Sequence, residues 1–498
     1  MSDLQGSVDV AGTVGQDGVV HVVRNRWSST RGFVLAAAGS AVGVGNLWKF
    51  PYITWENNGG AFVLMYLLCV PLIGLPIMVA ELMLGRRAQT NAVSTMESVG
   101  ASVVGGRNWR FVGWLGVAGS ATILSYIIVI AGWAVASFFQ CVSWSINGYT
   151  PQPPDAFPQF MANTGLQILL SFLFMAATVL IVIRGISSGI ESANRWLMPA
   201  LFGFILIMVL YMLTLDGFGE AMTFLFAPRF GELSDQAILE AMGQSFFSLS
   251  LGMAIMITYG SYLRPEQSIP RAATVIVGMD TLVAILACVI LYPIIFTFPE
   301  IKSSISGSTT GMLFITLPPL FYTKLSGGSL FGPLFYLLVL FAALSSSISL
   351  LEAVVALLID RFKYTRLKAT LVSSFVLFIG TILVAFSLDP SNILAQVQVF
   401  GTSETGFLHN LNEIFFRGKT GVMGIADHLV ANWFLPITGL CTTIFVGWVL
   451  DKKILIEELG FAEGSMYLLG FRIIMRFVAP LAILYVLYSV IAGTADFT

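Results

Sequence analysis

Apolar residues occur in long runs along almost the whole chain, separated by short polar segments. A membrane-spanning helix needs about 20 predominantly apolar residues, so each run of that length predicts one transmembrane helix. The eleven predicted spans cover residues 32–56, 60–85, 109–142, 164–184, 191–214, 238–263, 271–299, 330–360, 366–387, 427–450 and 468–493. The pattern therefore predicts an all-α polytopic membrane protein, with no room for a sizeable soluble domain.

The first predicted span is interrupted by Gly43 and Gly45, which lie beside Asn46. Glycine weakens a helix because it loses more backbone freedom on folding than any other residue, so this stretch predicts locally unwound backbone. Within a bilayer, unwound backbone is tolerated only where it is buried in protein or lines a cavity. Its free carbonyl groups could bind a cation there, and the interruption indicates a candidate binding site.

The sixth predicted span carries a second interruption, the Ser- and Gly-containing stretch from Ser248 to Gly252. No sequence repeat is visible, yet each interrupted span is the first member of a possible group of five. Paired interrupted helices at corresponding positions of two halves are typical of transporters, whose substrate site lies at the breaks. The pattern therefore indicates a transporter.

Composition agrees with this interpretation, since hydrophobic residues make up 56% of the 498 positions and charged residues only 10%. The net charge of −2 identifies no partner. We expect membrane lipid and a small-molecule substrate as partners, no nucleic acid and no organic cofactor, while the oligomeric state stays open. The four cysteines lie in or at the end of apolar runs without metal-like spacing, which indicates small core residues.

The basic residues predict the orientation of the chain in the membrane. With a cytoplasmic N-terminus, all but six of the 25 Lys and Arg residues fall on the cytoplasmic side. The six exceptions are Lys49, Arg229, Lys302, Lys324, Arg417 and Lys419. We therefore predict a multi-pass protein of the cytoplasmic (inner) membrane, with a flexible cytoplasmic tail at 1–26, a single transporter domain at 27–498 and a long outer loop at 388–426.

Four stretches carry a family resemblance: GSAVGVGNLWKFPY at 39–52, ENNGGAF at 56–62, FFSLSLG at 246–252 and LSSSISLLE at 344–352. Together they resemble the neurotransmitter:sodium symporter family, in its bacterial, leucine-transporter-like branch. The resemblance implies an inverted five-helix repeat, about 32–214 and 238–450, with broken helices one and six and an extra helix at about 468–493. It also implies sodium-coupled import of an amino acid or amino acid-like molecule by alternating access.

Asp280 lies in the apolar run VIVGMDTLVAILA, where an unpaired carboxylate is costly, so it is a functional candidate by default. The resemblance assigns it to a first sodium site, together with Asn46, Ser248 and the carbonyl group of Ala41. Sodium is a hard cation, and oxygen ligands of this kind suit such cations. The alternative, a carboxylate that is only structurally paired, stays open.

The resemblance also implies a second sodium site, which involves the eighth span. Its ligands would be the hydroxyl groups of Ser345 and Ser346 and the backbone carbonyl groups of Gly39, Val42 and Ala342. Positions 342, 345 and 346 are spaced i, i+3 and i+4, and they therefore share one helical face. Serines in membrane helices more often bond the carbonyl three or four residues back, which is the alternative here.

A substrate site is expected between the two sodium sites. Backbone N–H groups at a helix N-terminus can bind a carboxylate, and free carbonyl groups can bind an ammonium group. The expected residues are Ala41, Gly43 and Gly45 for the carboxylate, Phe247, Ser248 and Ser250 for the ammonium group, and Ile123, Phe247, Met253, Ser346 and Leu350 for the side chain. The alternative for any of the apolar residues is plain core packing.

Two positions bear on the substrate. Gly43 stands where monoamine-transporting relatives carry an acidic residue, so the substrate is expected to bring its own carboxylate. The family also places a tyrosine six residues before the tryptophan of the third span, but here Ile127 precedes Trp133 at that spacing and Tyr126 lies one residue earlier. One step along a helix turns a side chain by about 100°. Either the helix is locally rotated or bulged so that Tyr126 reaches the substrate site, or the contact between a tyrosine hydroxyl and the substrate carboxylate is absent.

The resemblance implies two gates, of which the outer also includes Phe247. The alternative for either charged pair is an interfacial charge that serves topology, because exposed ion pairs are weak. Glu81 in the second span is expected to bind backbone N–H groups freed at the breaks, with proton carriage as its alternative. The gate residues are Lys49 and Asp427 outside, and Arg24, Trp27, Tyr262 and Asp360 inside.

Chloride dependence can be judged from the same comparison. Animal relatives bind chloride with a tyrosine, a glutamine and serines, and Tyr66, Gln244 and Ser248 match three of those positions, but Ala284 occupies the remaining one. Asp280 supplies fixed negative charge beside the first sodium site and would repel chloride. We therefore predict chloride-independent transport.

Three other functions are weaker candidates. A channel would need polar pore residues, but no symmetric ring motif is visible. A non-transporting receptor or sensor could bind an amino acid-like ligand in the same pocket, and this alternative stays open. An enzyme is disfavoured, and no catalytic residues are assigned, because His21, His409 and His428 lie in the tail or outer-face regions without a nucleophile motif or HExxH.

Overall fold

A computed structural model describes residues 26–101, 103–153, 155–299, 311–400 and 407–497, together with two short strands before them. The strands β1, Gly12–Val14, and β2, Val20–Val22, pair antiparallel with Gly12 opposite Val22. They fall within the predicted tail at 1–26, and the rest of its first 25 residues lie outside the described residues. Everything else of regular structure in the described part is helical.

The described part of the chain contains 3₁₀ helices at Gly106–Trp109, Phe230–Glu232 and Ile393–Ala395 and a separate π-helix at Met312–Thr316. Twenty α-helices also follow the strands there, and several of them include π-helical turns. They are α1 Thr30–Ala41, α2 Val44–Leu47, α3 Lys49–Glu56, α4 Gly60–Ala88, α5 Ala92–Gly100, α6 Arg110–Asn147, α7 Ala156–Ala162, α8 Thr164–Ile183, α9 Ile186–Met212, α10 Phe218–Phe226, α11 Asp235–Ser248, α12 Ile255–Gly260, α13 Ile269–Thr297, α14 Leu317–Lys324, α15 Gly328–Phe362, α16 Arg366–Phe386, α17 Phe407–Phe416, α18 Gly421–Val449, α19 Lys452–Leu459 and α20 Met466–Ala492.

Nine stretches of the described chain are helical, long and apolar enough to cross a membrane. They correspond to α4, α6, α8, α9, α13, α15, α16, α18 and α20. Two further spans are broken: α1 to α3 fill the predicted first span, and α11 with α12 fill the sixth. The prediction of eleven spans with broken helices one and six is therefore confirmed.

Both breaks have a local cause in the sequence. The first helix is capped at its start by Ser29, whose Oγ accepts from Gly32 N at 2.9 Å, and it ends at Ala41 just before Gly43. The second break follows Ser248, and in it Ser250 and Gly252 adopt positive φ values of 55° and 74°. A left-handed residue cannot continue a right-handed helix, so the chain leaves helical geometry there.

Small residues allow the broken helices to approach the rest of the bundle closely. A Cβ added to Gly85 on α4 would overlap the carbonyl of Ile257 on α12, and one added to Gly260 would overlap the carbonyl of Leu82. Backbone contact of this kind is typical of helix packing in membranes. It holds α12 against α4, while α1 packs against α9, α13 and α15.

Candidate functional site

Three buried polar side chains meet where the first broken helix, α11 and α13 come together. Asn46 Nδ2 donates to Asp280 Oδ1 at 2.7 Å and to Ser248 Oγ at 3.2 Å. Ser248 Oγ in turn donates to Asp280 Oδ2 at 2.7 Å. Each side chain is 3% exposed or less. The fold thus joins the three predicted side-chain ligands of the first sodium site in one hydrogen-bonded cluster.

The end of α1 supplies backbone oxygens to the same region. Val42 N donates back to Ala38 O at 2.7 Å, but no described residue donates a hydrogen bond to the carbonyl groups of Gly39, Ala41 or Val42. The C-terminal end of a helix also carries partial negative charge, which favours a cation. Carboxylate, amide, hydroxyl and carbonyl oxygens are suitable ligands for a hard cation, so the residues present fit sodium as a transported ion.

The predicted second sodium cluster lies between α15 and the end of α1. Ser345 Oγ donates to Ala342 O at 3.0 Å, which is the bond to a carbonyl three residues back. Ser346 Oγ donates to Ser40 O, which is 3.4 Å away. A hydroxyl that donates its hydrogen still has oxygen lone pairs to offer a cation. A ligand role for these serines therefore stays a prediction.

Asn194 on α9 also lies beside the end of α1, although it is not among the predicted site residues. A Cβ added to Gly39 would overlap Asn194 Oδ1, so this side chain packs directly on the helix end. Its Nδ2 donates to Ile190 O at 3.0 Å, whereas the buried Oδ1 has no partner in the described part of the chain. The sequence signal that marks it is an amide inside the apolar run 191–214.

A small cavity of about 60 Å³ lies between the two helix breaks. Its lining combines apolar side chains with hydroxyl groups and with the backbone of both breaks. All predicted substrate residues except Tyr126 line it, namely Ala41, Gly43, Gly45, Ile123, Ile127, Phe247, Ser248, Ser250, Met253, Ser346 and Leu350. Asn46 lines it as well, so the cavity adjoins the Asn46–Ser248–Asp280 cluster.

A larger cavity of about 520 Å³ continues from the small one. The two share Ile123, Ile127 and Phe247 in their linings, which places Phe247 at their boundary. The larger cavity reaches Glu56 at the end of α3 and Gln236 at the start of α11. We call the side of the bundle where these residues lie the cavity face, and the opposite side, where the segment before α1 packs, the N-terminal face.

Tyr126 lies apart from the other predicted substrate residues in this structure, and its role in substrate binding stays a prediction. Ile127 lines the small cavity, whereas Tyr126 lines only the larger one and donates its hydroxyl to Asp427 Oδ1 at 2.8 Å. Successive residues of α6 point about 100° apart, and this turn directs the Tyr126 hydroxyl toward the larger cavity. The Tyr126 hydroxyl thus contacts a predicted gate residue in this structure.

The two predicted gate residues at the cavity face have separate partners. Lys49 donates its Nζ to the carbonyl of Phe497 and lies 4.8 Å from the centroid of the Phe247 ring. Asp427 accepts from Tyr126 instead. Both charged side chains line the larger cavity. Their direct pairing as a closed gate therefore stays a prediction.

The N-terminal face is closed beneath the site by the segment that precedes α1. Trp27 is fully buried, and its indole Nε1 donates to Tyr259 O at 3.0 Å, while its backbone N donates to Tyr262 O at 3.3 Å. Its ring also packs edge-on against Tyr259, with centroids 5.1 Å apart. The predicted gate residue Arg24 lies outside the described residues, and Asp360 accepts from Thr90 Oγ1 at 3.4 Å.

Two buried carboxylates strengthen this closure and are absent from the predicted set. Glu352 accepts from Tyr262 Oη at 2.8 Å and pairs with Arg366, whose Nη2 lies 2.5 Å from Oε2. Glu191 accepts from Ser28 N at 2.7 Å and from Ser29 Oγ at 3.0 Å. Buried charges are costly unless they are paired and hydrogen-bonded, so each carboxylate fixes its partners firmly.

Glu81 on α4 serves the second helix break. Its Oε1 accepts from Gly252 N at 2.8 Å, and the side chain is fully buried. Gly252 has a positive φ of 74°, so its N–H points outside any helical ladder and needs such a partner. The contact agrees with the predicted scaffold role of Glu81.

A helical membrane bundle with two broken helices, a buried polar cluster and a cavity between the breaks is typical of secondary transporters. The model of the sodium:neurotransmitter symporter family matches residues 24–151 and 159–497. The chain belongs to the sodium:neurotransmitter symporter family.

Similar proteins cover almost the whole chain. The uncharacterized sodium-dependent transporter YhdH of Bacillus subtilis (strain 168) is 36% identical over 469 residues, which span 94% of this chain and 97% of that protein. The sodium-dependent nutrient amino acid transporter 1 of Drosophila grimshawi is 25% identical, over 84% of this chain and 72% of that protein. The structure also resembles the crystal structure of MhsT in complex with L-phenylalanine, with a TM-score of 0.80 and 36% sequence identity. That match covers 94% of this chain and 100% of the MhsT chain.

Proposed function

We propose that this protein is a sodium-coupled symporter that imports an amino acid or amino acid-like molecule with an apolar side chain. The observation that carries the proposal is the small cavity between the helix breaks, which adjoins the buried Asn46–Ser248–Asp280 cluster. A carboxylate-bearing substrate in that cavity lies next to the first cation. The names of similar proteins, which include sodium-dependent and amino acid transporters, support the same class.

Binding of the first sodium ion is coupled to binding of the substrate because the positive ion attracts the negative substrate carboxylate. Asp280 alone balances one sodium ion, and a substrate carboxylate adds a further oxygen ligand in a dry site where electrostatic interactions are strong. The second sodium site, at the end of α1 and the Ser345–Ser346 face of α15, would bind a second ion that holds the broken helix against the bundle. Coupling requires that sodium binds one conformation more tightly than the other.

Alternating access is supported by the unequal ends of the bundle. The larger cavity leads to the site from the cavity face, whereas Trp27, Glu191 and Glu352 tie the N-terminal face together. With the N-terminus cytoplasmic and the protein in the cytoplasmic membrane, this arrangement is an outward-facing conformation. Import then requires Phe247 and the outer gate to close before the inner ties open.

Counterflow in proteoliposomes tests transport against the receptor alternative. Vesicles preloaded with unlabelled amino acid should accumulate labelled amino acid from outside in sodium medium and lose that accumulation in potassium medium. A receptor would bind labelled ligand only in proportion to the amount of protein, without accumulation. A panel of apolar amino acids, first ranked by sodium-dependent thermal stabilisation, supplies the substrate for this measurement.

Replacement of chloride by gluconate should leave initial uptake unchanged, within about 20%, because Asp280 supplies the negative charge beside the first sodium that chloride would otherwise supply. Uptake is measured at constant sodium concentration and ionic strength, with vesicles that lack protein as the blank. A collapse of uptake in gluconate would show that the region near Tyr66, Gln244 and Ala284 depends on chloride after all.

Ile127→Tyr should restore a hydroxyl at the edge of the small cavity, where Ile127 now contributes only apolar surface. We expect tighter binding of an α-amino acid by about fivefold, the contribution of one net hydrogen bond. The measurement is the substrate dissociation constant in saturating sodium. Ile127→Phe is the matched control, since it adds the ring without the hydroxyl; equal gains for both variants would contradict a carboxylate contact.

A further inference from the structure

The chain turns back over the bundle after α20. Gly493 follows α20 with a positive φ of 82°, and the N–H groups of Thr494 and Ala495 both donate to Ser489 O, at 2.9 Å and 3.2 Å. Arg417 donates to the carbonyl groups of Gly493 at 3.0 Å and Ala495 at 2.7 Å. These bonds hold residues 493–497, which we call the C-terminal strap, against the cavity face.

The strap enters the larger cavity through its last described residues. Phe497 N donates to Asn432 Oδ1 at 3.1 Å, and Asn432 Nδ2 donates to Asp496 Oδ1 at the same distance. Lys419 Nζ lies 3.1 Å from Asp496 Oδ2. A Cβ added to Gly243 on α11 would overlap the Phe497 ring, so the ring fills a site that only a glycine leaves free. The strap is therefore anchored by side chains of α18 and of the loop before it, and its Phe497 ring packs against α11.

The strap also reaches the predicted outer gate. The carbonyl of Phe497 accepts from Lys49 Nζ, while Asp427, which lines the same cavity, accepts from Tyr126. An ammonium group placed on a carbonyl oxygen makes a charge-assisted hydrogen bond, which is stronger than a neutral one. Lys49 must give up this contact, or carry the strap with it, before it can pair with Asp427.

We propose that the C-terminal strap is a third component of the outer gate, which positions Lys49 away from Asp427 and so stabilises the open conformation. Closure then exchanges the Phe497 carbonyl for the Asp427 carboxylate as the partner of Lys49. The strap acts as a positioning element, because its described residues do not line the small cavity between the helix breaks. The inference goes beyond the proposed function in assigning a gating role to a segment outside both five-helix repeats.

Cysteine accessibility measures the gate without sodium or substrate. Ile123→Cys places a thiol in the wall shared by the two cavities, where a membrane-impermeant methanethiosulfonate reagent reaches it only through the open gate. Removal of the strap by termination after Ala492 should slow this labelling by about fivefold, the effect of one lost net hydrogen bond. An unchanged or faster rate would overturn the proposal, and a faster rate would identify the strap as a simple plug.

Point variants keep the test independent of the truncation. Asp496→Asn and Arg417→Gln loosen the strap from different sides, and both should slow labelling in the same direction as the truncation. Asp389→Asn is the matched control, because Asp389 is half-buried in the 388–426 loop and, among the described residues, its side chain accepts only from nearby Ser391. Melting temperatures of all variants identify any that fail to fold.

A double variant separates gating from general packing. If the strap acts by keeping Lys49 from Asp427, then in an Asp427→Asn background its removal should leave the labelling rate of Ile123→Cys unchanged. An equal slowing in both backgrounds would overturn the proposed exchange of partners. Because every measurement is made without transport, a failure of the strap proposal is distinguishable from a failure of the proposed amino acid symport.

Discussion

Asp280→Asn is expected to abolish sodium-stimulated substrate binding, although the variant keeps the shape of the side chain. In the native cluster both carboxylate oxygens accept hydrogen bonds, from Asn46 and from Ser248, and they carry the negative charge of the predicted first sodium site. We expect the apparent sodium affinity to fall by about 100-fold, near the roughly 3 kcal/mol upper bound for an interaction with a charged group. Sodium titration of substrate binding measures the effect.

Thr274→Ala provides the matched control for that experiment. Thr274 lies on the same helix, α13, but is exposed and bonds only to Pro270 O within its own helix. It should leave sodium stimulation intact, and both variants should remain folded by melting temperature in the absence of sodium. If Asp280→Asn keeps the full sodium dependence, the carboxylate serves as a structural partner of Asn46 and Ser248 and the first site lies elsewhere.

The hydrophobic pattern predicted the fold well because the membrane imposes one dominant constraint on the backbone. Long apolar runs had to be helices, and the described spans begin and end within a few residues of the predicted ones. The breaks were also visible locally, since Gly43 and Gly252 interrupt apolar helices where no other feature explains a glycine. Fold and break positions thus follow from rules that act over about 20 residues.

The meeting of Asn46, Ser248 and Asp280 depends on packing between distant helices, and spacing alone does not predict it. Sequence motifs supplied that assignment through family resemblance, and the structure supplied the distances. Tyr126 illustrates the limit of transfer by motif. A displacement of one position turned its side chain from the small cavity to Asp427, so a residue of the expected type serves a different contact.

Residues that no motif marks were missed for a common physical reason. Glu191 accepts a hydrogen bond from Ser28, Asn194 packs against Gly39, and Phe497 accepts from Lys49. In each pair the two residues are more than 150 positions apart in the sequence. A buried polar residue in an apolar run signals that some partner exists, but not which one. The choice of partner depends on helix rotation and packing, which a one-dimensional pattern does not contain.

The two faces of the bundle are held by different chemistry, and this difference bears on the transport cycle. At the N-terminal face, fully buried Glu191 and Glu352 use carboxylates with several hydrogen bonds. At the cavity face, Lys49 uses a backbone carbonyl as its partner. An exchange of a carbonyl for a carboxylate requires little reorganisation, whereas buried ion pairs must be hydrated to open. Opening of the N-terminal face is therefore expected to be slower than closure of the cavity face.

Gly43→Asp is expected to convert the substrate preference from an amino acid to the corresponding amine. A side chain at this position points at Ser346 Oγ, which lies 2.8 Å from where its Cβ would stand, in the lining of the small cavity. The new carboxylate would take the position at which the substrate carboxylate is expected to bind, and its negative charge would repel that of the substrate. Amino acid affinity should fall by about 100-fold or more, while an amine that lacks the carboxylate should bind with sodium.

Gly43→Ala separates the effect of the added charge from the effect of the added side-chain volume. Its methyl group crowds the same hydroxyl, which can rotate away, so we expect a loss of amino acid affinity of about tenfold or less and no gain for the amine. Competition binding of a matched amino acid and amine pair to all three proteins measures the preference. Equal losses for both variants, without amine binding to Gly43→Asp, would place the carboxylate seat away from Gly43. The reversal expected instead would show that a single side chain decides whether the substrate or the protein supplies the negative charge beside the first sodium.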